Sequence, residues 1–262
     1  MTTVAAGERI AAAFAGHGAR AALMPYLMGG YPDLETSRAA AGACADAGAD
    51  LIELGVPFSD PLADGPTIHA AATHALAGGV TVDQVLGVCT AAAERLAVML
   101  MVYANAVMAH GAEAFVARAA DAGAAGLIVP DLPHDEADEI RAACDARGLA
   151  LVPLVAPSTS PERLEAIGAD ARGFVYTVSL AGTTGERSVL PPELPGLVER
   201  VRAAAGPTPV AVGFGIASSE QARAVAELAD GVIVGSRIVR AAGEGGAPAV
   251  RELVGSLARA LE

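Results

Sequence analysis

The sequence predicts an α/β protein, a (β/α)8 TIM barrel preceded by one extra helix, and three observations carry this prediction. Eight short apolar runs, each followed by a segment of helical period, are spread over the 262 residues, which is the element count of such a barrel. The runs are apolar at consecutive positions, as in parallel strands that are covered on both faces. A pattern of helix end, small turn and strand also repeats, as ADAGADLIELG at 45–55 and ADAGAAGLIVP at 120–130. A doubly wound open sheet is the alternative, although it more usually has about five to seven strands.

The predicted elements alternate along the whole chain. The predicted strands are 22–28, 50–55, 98–103, 126–131, 150–155, 173–178, 209–214 and 231–236. Residues 1–20 predict the extra helix, and 246–261 predict a final one. Ala-rich segments at 34–48, 135–148 and 218–229 predict helices between strands. A glycine closes several of these segments, as is common at helix C-termini.

Two of the intervals between strands are longer than the others, the one after the second strand and the one after the sixth. The additional residues lie around 56–66 and 179–192. Because the loops that follow the strands build the active site of a barrel, these two segments are where we expect lids and catalytic groups.

The charge balance excludes several classes of function. The formal net charge is −13, whereas a nucleic-acid partner requires a basic surface. All 17 basic residues are arginine, so chemistry that needs a lysine, such as Schiff-base catalysis or a P-loop, is excluded. No linker or break in composition divides the chain, and we expect 1–262 to fold as a single domain.

The cysteine and hydropathy patterns indicate a cytoplasmic protein. Cys44, Cys89 and Cys144 are odd in number and widely spaced, so we expect buried, reduced thiols, which fit a reducing cytosol. The N-terminal segment has no long apolar core and is a poor signal peptide. No apolar run approaches the ~20 residues that span a bilayer, which argues against a membrane partner.

The stretch LIELGVPFSDPLADGP, at 51–66, places a carboxylate in an apolar strand and follows it with a polar loop. Glu53 lies near the carboxyl end of the second strand, where removal from water raises the pKa and suits a general acid or proton shuttle. Asp60 and Asp64 follow in the loop, and two carboxylates at one barrel mouth would form an acid/base pair. A structural carboxylate is the alternative for Glu53, and either aspartate could instead cap the helix that follows.

Glycine-rich turns after the last three strands predict a phosphate site. These turns are GTTGE at 182–186, VGFGI at 212–216 and VGS at 234–236. Barrels commonly hold a phosphate on the loops after the seventh and eighth strands, where glycines let backbone N–H groups approach the anion. Without lysine, the site would rely on backbone amides, Ser236 and helix dipoles, which suits a phosphoester that is held rather than transferred. Tight turns alone also explain each of these glycine motifs.

Other polar residues at strand ends form no recognisable catalytic set. Tyr103, Asn105, Asp131 and Tyr176 could each hydrogen-bond at the barrel rim. The five histidines show no metal-ligand spacing, so we expect no catalytic metal. The order of residues indicates neither a Cys/His pair nor a Ser/His/Asp triad.

The longer stretch LIELGVPFSDPLADGPTI resembles the signature of the tryptophan synthase α chain family. The resemblance continues in order along the chain with PYLMGGYPD, MVYANAV, LIVPDLP, SLAGTTGER, GFGI and VGSRIV. It implies a cytoplasmic (β/α)8 lyase that cleaves indole-3-glycerol phosphate to indole and glyceraldehyde 3-phosphate. The reaction resembles a retro-aldol step without a lysine imine or a metal, which agrees with the absence of lysine and of metal-ligand spacing.

The resemblance also implies roles for individual residues. Glu53 matches the catalytic glutamate that moves protons, and Asp64 matches the aspartate that binds the indole N–H. Asp60 matches a signature position that we assign to loop structure or partner contact. Tyr176 matches a tyrosine that lines the indole-glycerol site, and Thr184 matches a threonine that contacts the loop aspartate when the lid closes. The residues implied to hold the phosphate are Gly185, Gly213, Phe214, Gly215, Gly235 and Ser236.

The resemblance implies a protein partner. Family members usually pair with a pyridoxal-phosphate β chain as an α2β2 heterotetramer, and indole passes to that chain through a tunnel. Pyridoxal phosphate is expected only in the β chain, since this chain has no lysine to hold it. The loops around 56–66 and 180–190 are the expected contact and lid segments. Met28 and Leu180 depart from a threonine and an arginine that occur in family members, and neither position touches the carboxylate pair.

Two other functions remain open for such a barrel. One is a freestanding lyase that releases indole into solution. The other is a barrel whose main role is to bind and activate a partner enzyme, with negligible lysis. Indole release measured with and without the β chain separates these three functions.

Overall fold

The structure is a computed structural model that describes residues 6–15, 21–178, 190–213 and 215–262, and its strands form a nearly closed barrel. The strands are β1 (Ala22–Met28), β2 (Leu51–Gly55), β3 (Ala97–Met101), β4 (Gly126–Ile128), β5 (Ala150–Val152), β6 (Leu154–Val155), β7 (Val175–Val178), β8 (Val210–Gly213) and β9 (Gly231–Val234). All neighbours are parallel, in the order β5-β4-β3-β2-β1-β9-β8-β7-β6. The predicted (β/α)8 barrel is confirmed.

Helices surround the barrel and connect its strands. They are α1 (Ala6–Ala15), α2 (Leu34–Asp46), α3 (Pro66–Ala77), α4 (Val82–Ala93), α5 (Ala104–Met108), α6 (Ala112–Asp121), α7 (Asp138–Arg147), α8 (Pro161–Asp170), α9 (Leu194–Ala205), α10 (Ser219–Ala226) and α11 (Ser236–Leu261), with a 3-10 turn at His134–Glu136. The extra helix is α1, and the predicted final helix is the part of α11 that follows a bend at Gly246. In the described ranges no single helix has the length and apolarity of a membrane span, and only the sharply bent pair of α3 and α4 meets both criteria together.

The fifth predicted strand, 150–155, is interrupted, and this corrects the expectation of eight continuous strands. Pro153 lies between β5 and β6 and has no N–H to donate to a ladder, so the strand divides there. β5 pairs with β4, whereas β6 pairs with β7. The Tyr176 N–H donates to the Pro153 carbonyl at 2.9 Å, so the two halves of one strand close the barrel from opposite sides.

The strand register points Glu53 into the barrel. Leu51 packs in the interior cluster of the barrel, and Ile52 and Leu54 pack in the outer layer between barrel and helices. Side chains alternate between the two faces of a strand, so Glu53 shares the inner face with Leu51. Its register partners are Tyr26 on β1 and Met99 on β3.

Helix α1 closes the amino-terminal end of the barrel. Ile10 and Ala13 belong to the interior cluster, and Phe14 packs against it with its ring centroid 5.6 Å from that of Phe174. The Arg9 guanidinium donates to the carbonyls of Ala93 at 2.6 Å and Gly123 at 3.1 Å, and also to that of Leu96. The helix therefore completes the core at the end opposite to the strand carboxyl termini.

Glycines reverse the chain between helices and strands, as the repeated pattern predicts. Gly48 and Gly123, at equivalent places of the two repeats, have φ values of +93° and +82°, and Gly148 closes α7 at +69°. Backbone in this left-handed region costs glycine little, because it has no Cβ. The strand that follows each turn therefore starts at a defined place.

The three cysteines lie in the layer between helices and barrel. Cys44, Cys89 and Cys144 are free thiols on α2, α4 and α7, and all are buried. Burial raises the pKa of each thiol to about 12. The expectation of buried, reduced thiols is confirmed.

Candidate active site

A narrow cavity lies inside the barrel at the carboxyl ends of the strands, and it gathers most of the predicted site residues that the structure describes. The predicted residues that line it are Glu53, Asp64, Tyr176, Gly215, Gly235 and Ser236. They come from β2 and its loop, from β7, from the turn after β8 and from the start of α11. Residues far apart in sequence thus converge because parallel strands all end at the same face.

Glu53 is a buried carboxyl group, and one of its two oxygen atoms lacks a hydrogen-bond partner among the described residues. The residue is 1% exposed, and the atom without a partner is Oε1. Desolvation by burial raises its pKa to about 8, because the charged form loses the water that would stabilise it. At neutral pH Glu53 therefore carries a proton that it can give away.

Asp64 occupies a different environment on the wall of the same cavity. Partial burial raises its pKa to about 6, while a hydrogen bond from Tyr103 and the nearby His69 act in the opposite direction. Asp64 is therefore mostly ionised at neutral pH, when Glu53 is mostly protonated. Two carboxyl groups held in opposite states at one site are the arrangement that acid/base chemistry requires.

Tyr103 fixes the loop that carries Asp64. Its hydroxyl accepts a hydrogen bond from the Ala63 N–H at 3.1 Å and donates to the Asp64 carboxylate. The Phe58 ring stacks on the Tyr103 ring, with centroids 5.1 Å apart and an angle of 22° between the planes. Both ends of the loop thus rest on one phenol, which holds Asp64 against the cavity.

Two tyrosine rings enter the cavity above glycines. A Cβ atom on Gly213 would lie 2.5 Å from the Tyr176 hydroxyl, and one on Gly55 would lie 2.0 Å from the Tyr26 hydroxyl. Real Cβ atoms do not approach so closely, so any other residue at these two positions would displace the phenols. Gly213 is a predicted phosphate residue, and in this structure it provides the space for Tyr176.

The start of α11 forms one wall of the cavity. Gly235 is the N-cap residue and Ser236 is the first residue of the helix, and no side chain makes a capping hydrogen bond there. Backbone N–H groups at a helix N-terminus lack partners within the helix and carry partial positive charge. This wall, together with Gly215, has the chemistry of an anion site.

Three predicted site residues lie outside the described residues. Thr184, Gly185 and Phe214 belong to the ranges that the structure does not describe, as does Leu180. Their predicted roles remain predictions. Asp131, considered for the barrel rim, accepts a hydrogen bond from the Ala104 N–H at 2.8 Å and so joins the loop after β4 to α5.

The capping role considered for Asp60 and Asp64 is wrong. The N-cap residue of α3 is Gly65, which makes no side-chain capping bond, and Pro66 occupies the first turn. Proline at this place needs no N–H partner and has a φ suited to the helix, so a carboxylate cap is dispensable. Asp60 instead accepts a hydrogen bond from the Ser59 hydroxyl at 2.5 Å.

A larger cavity adjoins the narrow one. It measures about 520 Å³ against about 30 Å³, and the two share Ala63, Pro130 and Leu154 as lining residues. Its other walls come from the loop after β4 and from β5, β6 and α8. The two cavities therefore adjoin at the carboxyl end of the barrel.

Sequence reasoning overlooked Tyr26 and gave Tyr103 only a place at the rim. Tyr26 lines the cavity and is 3% exposed. A strand that is apolar at consecutive positions does not reveal which of its faces is the inner one. The register that puts Tyr26 beside Glu53 is a property of strand pairing, and no local pattern in the sequence contains it.

Comparisons with known proteins identify the family. The family model described as "Tryptophan synthase alpha chain" matches residues 14–258. The tryptophan synthase alpha chain of Prochlorococcus marinus is 50% identical over 224 residues, which cover 84% of this chain and 81% of that one.

Solved structures agree with this match. A chain of Mycobacterium tuberculosis tryptophan synthase has a TM-score of 0.91 at 45% identity, covering 97% of this chain and 98% of that chain. A chain of the α2β2 tryptophan synthase complex of Pyrococcus furiosus has a TM-score of 0.84 at 36% identity, covering 91% and 98%. The chain described here belongs to the tryptophan synthase alpha chain family, the lyases that cleave indole-3-glycerol phosphate.

Proposed function

We propose that Glu53 moves the protons in this cleavage and that Asp64 holds the indole nitrogen. The observation that carries the proposal is the unlike state of the two carboxyl groups in one cavity. The pKa of Glu53 is raised to about 8 and that of Asp64 to about 6. Near pH 7, Glu53 is the acid and Asp64 is the anion.

The first step is protonation of the indole ring. The Glu53 carboxyl gives its proton to C3 of the indole, and an electron pair of the ring forms the new C–H bond. Positive charge then develops on the ring nitrogen. The Asp64 carboxylate accepts a hydrogen bond from that N–H and stabilises the charge, an interaction that strengthens as the transition state is approached.

The second step breaks the carbon–carbon bond. The Glu53 carboxylate takes the proton from the hydroxyl on the glycerol carbon that is bonded to C3, and a carbonyl forms there. The C–C bond breaks, and its electron pair returns to the ring and neutralises the nitrogen. The products are indole and glyceraldehyde 3-phosphate, and Glu53 carries a proton again.

The phosphate of the substrate is proposed to bind at the start of α11. Gly235 and Ser236 supply a helix N-terminus, and Gly215, after the neighbouring strand β8, lines the same cavity. Tyr176 lines this cavity together with Glu53. The further residues proposed for substrate binding are Thr184, Gly185, Gly213 and Phe214.

Replacement of the two carboxylates tests the proposal. In the purified full chain, Glu53→Gln removes the transferable proton, so we expect kcat for indole release to fall by roughly 10²–10⁴-fold. Asp64→Asn should lower kcat as well, because a neutral amide stabilises the positive nitrogen less. Glu113→Gln, an exposed change in the first turn of α6, is the control and should leave kcat unchanged. Near-normal turnover by a folded Glu53→Gln enzyme would remove Glu53 from the mechanism.

A β chain is the proposed partner, in an α2β2 assembly. The Pyrococcus furiosus relative is described as part of an α2β2 complex. Leu62 in the loop after β2 is 80% exposed, and Met108 on α5 is 47% exposed. Leu62 follows β2 and Met108 follows β3, so both lie at the carboxyl end of the barrel. Large apolar side chains that are exposed at one end of a barrel favour a protein contact there.

The cofactor assignment and the cellular location belong to the same proposal. This chain has no lysine, the residue that holds pyridoxal phosphate covalently, so we assign that cofactor to the β chain alone. The three buried free thiols are consistent with a cytoplasmic location.

A further inference from the structure

Tyr26 is the cavity residue that is paired with Glu53. It lies on β1, its backbone is the direct register partner of Glu53, and its side chain lines the same cavity. Parallel neighbours in register project their side chains to the same side of the sheet. Both side chains therefore enter the barrel at one level.

The Tyr26 hydroxyl is held at a defined place. It lies directly above the backbone of Gly55, where a Cβ atom would be 2.0 Å from the hydroxyl oxygen. Gly55 is the next inward position after Glu53 on β2, and two residues of strand span roughly 7 Å. The hydroxyl thus lies on the mouth side of Glu53, within reach of an extended glutamate side chain.

The ionised form of Glu53 needs hydrogen-bond donors inside the cavity. Its register partner on β3 is Met99, and the polar groups that face it are Tyr26, Tyr176, Asp64 and Ser236. No positively charged residue lines the described part of this cavity. An ionised carboxylate that is buried without hydrogen-bond donors is strongly destabilised. The reaction creates that anion each time Glu53 gives up its proton.

We propose that Tyr26 is a positioning residue for the proton shuttle, and that its hydroxyl donates a hydrogen bond to the Glu53 carboxylate between the two proton transfers. The inference rests on the proposed role of Glu53. The bond forms to the anion and not to the protonated acid, so it stabilises the intermediate more than the ground state. Interactions of this kind raise kcat rather than substrate affinity.

The electrostatics keep Tyr26 available as a donor. Burial is the main cause that raises the pKa of Tyr26, and the negative charges of Asp64 and Glu53 raise it further. The phenol therefore retains its proton throughout the range in which Glu53 and Asp64 titrate. Burial and the same two carboxylates also raise the pKa of Tyr176, which lies on β7, three strands from β1 around the barrel.

Tyr26→Phe in the full chain tests the inference, with kcat and KM for indole release measured across pH 5–10. We expect kcat to fall about 10–100-fold, with KM changed by less than about 3-fold. Activity needs protonated Glu53, so kcat decreases at high pH as Glu53 ionises; this decrease is the alkaline limb of the pH profile. Loss of the Tyr26 donor destabilises the Glu53 anion and raises the pKa of Glu53, so the alkaline limb should move to higher pH in the variant.

The chain provides a matched control in Tyr31. Its hydroxyl also lies above a glycine, where a Cβ on Gly243 would be 2.3 Å away, and its ring packs on His74 outside the cavity. Tyr31→Phe should leave kcat and the pH profile unchanged. Gly55→Ala is the second test, because its methyl group displaces the Tyr26 hydroxyl while the tyrosine remains. It should reproduce the shift of the alkaline limb.

The outcomes separate this inference from the proposed function. A Tyr26→Phe enzyme with kcat within about 2-fold of the parent and an unmoved limb would overturn the inference. So would a loss of kcat without a shift of the limb, since a purely structural role gives that result. Turnover by Glu53→Gln would overturn the proposed shuttle itself, whereas an inactive Glu53→Gln beside a normal Tyr26→Phe refutes only the role of Tyr26.

Discussion

At the scale of single residues, the surroundings of Glu53 and Asp64 decide what each carboxyl group can do. Glu53 lies on β2 and Asp64 in the loop that follows, and both line one cavity. Burial raises the pKa of both groups, but Asp64 also has a Tyr103 hydrogen bond and a nearby histidine that lower its pKa. Burial without a hydrogen-bond donor raises the pKa of a carboxyl group, so the group stays protonated. A donor that binds the carboxylate lowers the pKa, so the group ionises more readily. The division of roles is thus made by neighbours and not by residue type.

The buried acid predicts a pH-dependent stability. The pKa of Glu53 rises from 4.5 to about 8 on folding. Between these values the folded chain keeps a proton that the unfolded chain loses, so the free energy of unfolding falls as the pH rises from about 4.5 to 8 and then levels off. Glutamine does not titrate. The stability gained by Glu53→Gln should therefore grow across that window, by at most a few kcal/mol.

Urea unfolding of Glu53→Gln and the parent at pH 5, 7 and 8.5 measures this difference. Glu113→Gln, on an exposed helical turn, should differ from the parent by the same small amount at each pH. A stability difference for Glu53→Gln that is independent of pH contradicts a buried, protonated Glu53.

Part of the site follows from single residues of the sequence. A glutamate flanked by apolar residues at a strand end predicts a buried acid, and the structure places Glu53 in that way. The neighbours of Asp64 could not be predicted, because Tyr103 reaches it across the gap between two strands. Tyr26 was not predicted for the same reason. Its position beside Glu53 depends on the register between β1 and β2, and the closed barrel sets that register.

At the scale of elements, α1 contributes core that the strands alone lack. The barrel interior needs side chains at its amino-terminal end, and Ile10 from α1 fills that place with no exposed surface. Arg9 binds the carbonyls of three outer-layer residues and so fixes the helix against the barrel. Loss of packing at this end should therefore lower the free energy of unfolding of the whole barrel.

Ile10→Ala tests the contribution of α1. Truncation of a fully buried isoleucine costs about 2–5 kcal/mol, which lowers Tm by several degrees for a chain of this size. Ala12→Ser, on the exposed face of the same helix, should change stability by less than about 0.5 kcal/mol. Equal thermal stability of the two variants would show that α1 is not part of the cooperative core.

Prolines explain where the predicted elements depart from the structure. The fourth strand ends at Ile128, before Pro130, whereas 126–131 was predicted. The fifth divides at Pro153. Hydrophobic runs predict that a strand exists, but the missing N–H of proline decides where its ladder stops. The sequence was sufficient to predict which segments are strands. The points at which the fourth strand ends and the fifth divides depend on single prolines.

At the scale of the whole molecule, the mouth of the barrel is the surface equipped for a partner. Leu62 and Met108 are exposed there, and the large cavity opens between the loops that follow β4 and β6. Leu76, near the C-terminus of α3, lies at the same end, because His74 on that helical turn contacts Tyr31 and Pro32, which follow β1. Among the described residues, the large apolar side chains that are exposed therefore all lie at this end of the barrel.

Charge reversal of the apolar surface tests the docking face. Met108→Glu should weaken binding of the β chain by about 10-fold or more, because it places a charge in a desolvated contact. Ala12→Glu, on the exposed face of α1 at the amino-terminal end of the barrel, should leave the dissociation constant unchanged. Indole release by the isolated chain should be the same for both variants. Equal affinities measured by titration calorimetry would exclude Met108 from the interface.

The buried thiols and the lack of lysine side chains protect the folded chain from two common classes of labelling reagent, those directed at thiols and at lysine amines. It has no lysine for amine-directed labels, and burial keeps Cys44, Cys89 and Cys144 protonated and covered. A thiol label can react only when α2, α4 or α7 separates from the barrel. All three helices belong to the first 147 residues, and the remainder of the chain has no cysteine. The rate of thiol labelling therefore reports on the opening of the half of the barrel that contains these helices. It does not report on the opening of the other half.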